Sequence, residues 1–335
     1  MTGWESWAAN LALLRPGFRR PPGVFGMLTD DELHFLETYA RFSYTGAGKI
    51  VDLGTWLGAS AGALARGLRF NEHRHRFVHP IQSYDQFLWQ SWMTPIAQSM
   101  QTPSAFCEGD DFLNYAAAAL GELLLFIQLT RADLSRELLV PDPIEFLMID
   151  AMKSWPLANA ISKSFLPKLI PGRSIVVQQD FGHYHPVTAT NHILMWLLRD
   201  WLEPVYQVPA STSSVFFLRK ALNPADIPIL DPKKLSPETI DSAWRYSLSF
   251  SDPGAAPFIW LCKILFLFEQ KQFVSAALAV TAFRQTGLQL SYEARVAAAS
   301  IISQLNSSVA NTAPGQSALT MISDLLGFSR PRRST

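Results

Sequence analysis

The chain has 335 residues, as many acidic as basic side chains, and 48% apolar residues against 17% charged. That is ample material for one large domain or two ordinary ones, and the low charge excludes an intrinsically disordered chain. A formal net charge of zero argues against a nucleic-acid-binding surface, which carries a basic excess.

Residues 1–29 read as a lead-in rich in proline and arginine. Trp4, Glu5 and Trp7 interrupt the place where the apolar core of a signal peptide would run. Thr29 and Glu32 then have the spacing of a capping box, which predicts a helix to about Phe42. Lys49–Gly62, KIVDLGTWLGASAG, predicts a buried strand, a glycine turn and a helix over Ala59–Leu68. The turn suits either a dinucleotide or S-adenosylmethionine. Its glycines, Gly54, Gly58 and Gly62, depart from the dinucleotide spacing G-x-G-x-x-G.

A second strand is predicted over His79–Asp85. In a doubly wound sheet ligands lie across the carboxyl ends of the strands, where an acceptor-only group such as Asp85 can match both hydroxyls of a ribose. The plainer alternative for Asp85 is a turn aspartate. His73, His75 and His79, in the loop before this strand, have no metal-ligand spacing and read as solvated. Leu88–Gln101, with Trp89 and Trp92, is a lid, a substrate wall or simply packing.

A helix is predicted over Asp110–Leu120 and a third strand over Leu123–Leu129. Asp133 follows, either beside an adenine or as the N-cap of a helix over Leu134–Leu138. Glu145–Asp150 reads as the fourth strand, with Pro156 in the first turn of a helix reaching Leu169. After the Pro171–Gly172 turn, Ser174–Val177 is the fifth strand. A helix over Thr190–Leu202 precedes a terminal hairpin, Pro204–Val208 with Val215–Leu218.

Prolines 224, 228, 232 and 237 mark a linker. The region 223–329 shows only helical pattern, which makes it a separate domain or a cap on the sheet and a candidate homo-oligomer interface. The tail, 330–335, is expected to be disordered. Within this region Phe258–Phe268 is too short to span a bilayer and is broken by Lys263; it either lies on a membrane or, the favoured expectation, is a buried core helix. Cys107 and Cys262 read as buried thiols in a reducing, cytoplasmic setting.

Asp52-Leu53-Gly54, Asp85-Gln86-Phe87, Phe146–Asp150, Ile170-Pro171-Gly172 and Asp180-Phe181-Gly182-His183 occur in that order. Over residues 30–222 this resembles the class I S-adenosylmethionine-dependent methyltransferases, in particular the macrocin-type O-methyltransferases that modify sugars on natural products. The resemblance implies an α/β fold, a doubly wound and mostly parallel seven-stranded sheet, with the all-α C-terminal region outside it. It also implies O-methylation of a small-molecule or glycan acceptor. Asp52, Gly54, Thr55, Gly58 and Ser60 would hold the amino acid portion of S-adenosylmethionine, Asp85 its ribose, and Asp133 would lie near its adenine.

In that branch the fourth strand ends in D-x-D and the fifth in D-D-Y-G, and three of those acids hold a divalent cation. Here Asp150 and Asp180 match, while Met152 and Gln179 replace acids. Asp150, Gln179 and Asp180 therefore either hold Mg2+ weakly or have lost it. Lys153, three residues after Asp150, resembles the base of catechol-type O-methyltransferases; its alternatives are a salt bridge to Asp150 or Asp180, or a solvated head. His183 is the other candidate base, with His185 a weaker one. Trp155 either stacks on the acceptor or packs in the core. The competing expectation is a methyltransferase fold that has lost catalysis and serves a glycan or natural-product enzyme as a binding or scaffolding partner.

Overall fold

A computed structural model describes residues 18–102, 105–138, 140, 143–309 and 312–327. The expectations for Trp4, Glu5, Trp7, the first part of the lead-in and the tail fall outside these residues. The chain divides into two compact units. The first holds the described residues through Met152 with Pro156–Gln179 and Arg199–Ile229. The second holds Lys153–Trp155, Asp180–Leu198 and the described residues from Leu230 on.

The first unit is built on one seven-stranded sheet. Its strands are β1 (Lys49–Leu53), β2 (Ile81–Asp85), β3 (Ile127–Arg131), β4 (Ile144–Ile149), β5 (Ile175–Gln178), β6 (Leu202–Gln207) and β7 (Ser214–Leu218), in the order β3-β2-β1-β4-β5-β7-β6. β2 and β3 pair in parallel, as do β1 with β2 and β4, and β4 with β5. β7 runs antiparallel to both of its neighbours. The central strands are buried along nearly their whole length rather than at alternate residues, and are mostly apolar, as in other parallel sheets. A Rossmann-like, mostly parallel sheet is therefore present.

Helices α1 (Asp30–Phe42) and α2 (Ala59–Leu68) cover one face. Leu33, Leu36, Ala61 and Leu64 pack there with Ile50, Ile81, Phe146 and Ile175. α1 starts where its capping box predicts: Thr29 Oγ1 accepts the Glu32 amide at 3.2 Å, and the Glu32 carboxylate accepts the Thr29 amide at 2.7 Å. Two short helices, α3 (Met93–Ser99) and α4 (Leu113–Leu120), follow β2. Trp89 is buried among Phe87, Phe106 and Phe112, which settles packing as its role. α5 (Trp155–Phe165) brings Phe165 edge-on to Tyr84, on the opposite face from α1.

Several boundaries differ from expectation. Gly121, at φ 52°, ends α4, and Gly121–Leu125 winds into a 3-10 turn. β3 therefore begins only at Ile127. The helix expected over Thr190–Leu202 is α6 (Ala189–Leu197), and Leu202 already opens β6. Cys262 is buried, but Cys107 is exposed, because it lies in a surface loop where its amide donates to Asp110.

Apart from Lys153–Trp155 and the loop over 180–188, the second unit is helical. It holds α6, α7 (Pro237–Phe250), α8 (Ala256–Glu269), α9 (Phe273–Gln285), α10 (Tyr292–Val309) and α11 (Ala313–Leu325). Ser236 caps α7, with Pro237 at its first position. His192 of α6 reaches Ser247 of α7 at 2.9 Å and packs against Trp244 and Phe181. α8 is apolar on nearly every side and buried through Ile264–Phe268, as expected for a core helix. Among the described residues no helix is long and apolar enough to cross a membrane.

Candidate functional site

In the first unit the predicted residues converge at the carboxyl ends of β1 and β2. Asp52 stands opposite Ser83 in the β1–β2 register and is fully buried. Its Oδ2 accepts three hydroxyls, from Thr55 at 3.1 Å, Ser60 at 3.0 Å and Ser83 at 3.2 Å. Its Oδ1 is buried with no hydrogen-bond partner. Burial pushes the carboxyl up to about 6, with Asp150 adding repulsion, and the three hydroxyls only partly offset this.

Asp85 ends β2 and ties it to the turn after β1. Its two oxygens accept the amides of Phe87 and Trp56, each at 2.8 Å. The Gln86 amide pulls on the same carboxylate, so backbone donors engage up to three of its four lone-pair sites. Burial raises its pKa against the pull of those amides. The turn itself depends on Gly54, at φ 93°, where a Cβ would meet the Asp150 carbonyl oxygen at 2.9 Å. Gly58, at φ 90°, is the N-cap of α2, with no side chain to compete for the helix amides. Thr55 and Ser60 thus hold Asp52, Gly54 and Gly58 shape the turn beside it, and Asp150 backs that turn.

Asp133 adjoins this cluster, since the amide of the preceding Ala132 donates to the Asp85 carbonyl at 2.9 Å, but its side chain is engaged locally. Its carboxylate accepts the Ser135 amide and hydroxyl at 3.0 and 2.6 Å and pairs with Arg136 at 3.2 Å. These bonds, the Ser135 hydroxyl foremost, hold its pKa below the usual value. It closes a turn over residues 134–136, so the expected helix over Leu134–Leu138 is absent. A short polar side chain that satisfies its own backbone two residues on competes with helix formation.

In the second unit Lys153 forms an ion pair with Asp180, one of the alternatives open for it. The His183 amide donates to the Asp180 carbonyl at 3.1 Å. The His185 amide donates to His183 Nδ1 at 3.1 Å, and the Val187 amide to His185 Nδ1 at 3.2 Å. With Nδ1 accepting, neutral His183 carries its proton on Nε2 and presents a donor there. Burial, with the Lys153 and His185 charges behind it, lowers its pKa to about 4. Trp155 packs against Phe266, ring centroids 6.0 Å apart.

The expected metal set draws on both units, with Asp150 and Gln179 in the first and Asp180 in the second. Asp180 is engaged by Lys153, and Met152, where a further acid would stand, is buried. Among the described residues no three His, Cys, Asp or Glu side chains group as metal ligands. Two carboxylates, one of them neutralised by an ammonium, and one amide make a weaker donor set for Mg2+ than three acids, since that ion takes carboxylate charge and octahedral oxygen.

Two participants were missed from sequence. Ser83 lies in mid-strand, and only the β1–β2 register sets it against Asp52. Trp56, at φ 42°, acts through its amide, which carries no side-chain signature. A scan against protein-family models returns no match, and no curated protein is significantly similar in sequence.

Proposed function

We propose that the chain is an S-adenosylmethionine-dependent O-methyltransferase acting on a hydroxyl of a small molecule, sugar or natural product in the cytoplasm. One observation carries the reading. A buried acid, Asp52, and a half-buried one, Asp85, lie at the carboxyl ends of adjoining parallel strands, and a single glycine turn joins them through the Trp56 amide. S-adenosylmethionine, when bound, supplies a methyl group on a sulfonium with a good leaving group. The residues present suit it. Asp52 keeps Oδ1 for an ammonium, Asp85 keeps at least one lone-pair site for a ribose hydroxyl, and Gly54 and Gly58 allow close backbone approach. What remains for the protein is alignment of the acceptor and removal of its proton. Lys153 passes one ammonium proton to its partner Asp180 and, as the neutral amine, takes the acceptor's proton; His183, with Nδ1 occupied, offers its Nε2 proton to the acceptor.

A second reading, a binding or scaffolding protein without turnover, is favoured by the same two contacts, since both candidate bases are already engaged. Calorimetry separates the readings. The wild-type chain should bind S-adenosylmethionine, and Asp85→Ala should bind about 10- to 100-fold more weakly for the loss of charge-assisted hydrogen bonds. Absence of binding to the wild type removes the enzyme reading. Against a panel of hydroxylated acceptors, Lys153→Met should lower turnover at least 100-fold with cofactor affinity unchanged. Cofactor binding without turnover on any acceptor favours the second reading.

A further inference from the structure

Away from the strand ends, the first unit holds a cleft of about 410 Å³ between the outer face of α1, Arg66 of α2 and residues 18–21. That volume lies in the range of small-molecule sites. Its walls combine rings and guanidinium groups. Phe18 stands edge-on to the nearly buried His34, centroids 5.2 Å apart. Phe42, half exposed, forms another wall, and the Arg41 guanidinium lies 5.0 Å above its ring and 4.9 Å from that of Phe70.

Arg66 is the informative group. Its Nε donates to Glu37 at 3.1 Å, while its Nη2 is buried with no hydrogen-bond partner. A desolvated guanidinium nitrogen without an acceptor is unfavourable, and a small turn of the Arg66 side chain toward an anion in the cleft it lines would relieve it. Arg19, Arg41 and Arg66 against Glu37 leave the lining with a cationic excess.

We propose that this cleft binds a small ligand with one anionic group, a phosphate or carboxylate, on an aromatic ring. The anion pairs with Arg66 and Arg41, and the ring fills the space between Phe18 and Phe42. The site is independent of the methyltransferase reading, because none of its residues belongs to the cluster at the strand ends.

Calorimetry on the full chain with phenyl phosphate, inorganic phosphate and benzyl alcohol tests it. Phenyl phosphate should bind at least tenfold more tightly than either partial probe. Arg66→Met should weaken it tenfold or more, and Arg41→Gln, at an exposed position, severalfold. Asp85→Ala should leave it unchanged. If Arg66→Met fails to fold by circular dichroism, Arg41→Gln alone decides. The proposal is overturned if phenyl phosphate binds no better than inorganic phosphate, if the folded arginine variants bind it as the wild type does, or if Asp85→Ala abolishes binding.

Discussion

Asp52 is asked to do two incompatible things. It must accept three hydroxyls as a carboxylate, yet it has no solvent contact and keeps one oxygen unmatched. Burial wins, and the pKa rises from 3.8 to about 6. A carboxyl whose folded pKa exceeds its unfolded one stabilises the fold fully below the unfolded value. That contribution is lost as pH climbs through the folded value. From about pH 4 to pH 6 this one group should therefore lower stability by up to about 1.4 kcal/mol per pH unit. Asp52→Asn removes the titration while keeping an oxygen for the hydroxyls. Urea titrations at intervals between pH 4 and 7 should show that decline in the wild type and a flatter profile in the variant. Parallel profiles would mean that Asp52 is ionised throughout.

At the level of the loop that feeds β1, another buried acid has a structural task. Glu145 of β4 accepts the Thr45 amide at 2.7 Å, the Thr45 hydroxyl at 2.9 Å, and the Ala47 and Gly48 amides at 2.8 and 3.3 Å. It fixes the segment from which Lys49–Leu53 departs. Glu145→Gln turns an acceptor-only group into one with an NH2 facing backbone donors. It should cost about 2–3 kcal/mol in urea unfolding. A loss below about 0.5 kcal/mol would show that the loop holds without the carboxylate. The same elements explain what could be read in advance. α1, β1 and α2 were legible because Thr29, Glu32, Gly54 and Gly58 punctuate them with local chemistry. β3 was misplaced because Leu123–Leu125 is as apolar as a strand, and only the conformation of Gly121 sends it into a 3-10 turn. Asp52 and Asp85 were legible as acids ending apolar runs. The Ser83 hydroxyl and the Trp56 amide were not, because strand register is a long-range fact.

The partition of the whole chain carries a consequence that the sequence pattern conceals. Pattern alone divides the chain near residue 223, where strands give way to helices. The compact units instead interleave, with Lys153–Trp155 and Asp180–Leu198 belonging with the later helices. Phe181 packs against Phe250, ring centroids 5.5 Å apart, and His192 lies between Trp244 and its bond to Ser247. Ile193, Leu194 and Met195 are likewise buried. A chain ending at Ile229 would keep α6 but lose α7 and α8. Burial of each such side chain contributes about 1.5–3 kcal/mol, and a domain's whole stability is only about 5–15 kcal/mol. Removing the partners of Phe181 and His192 alone therefore consumes a large part of that margin. The truncated chain should be insoluble, or soluble with strong binding of a hydrophobic dye and a broad thermal transition. A chain cut at Ile229 that unfolds sharply and binds no dye would show instead that the sheet and α6 form a self-sufficient domain, with the later helices an addition to it.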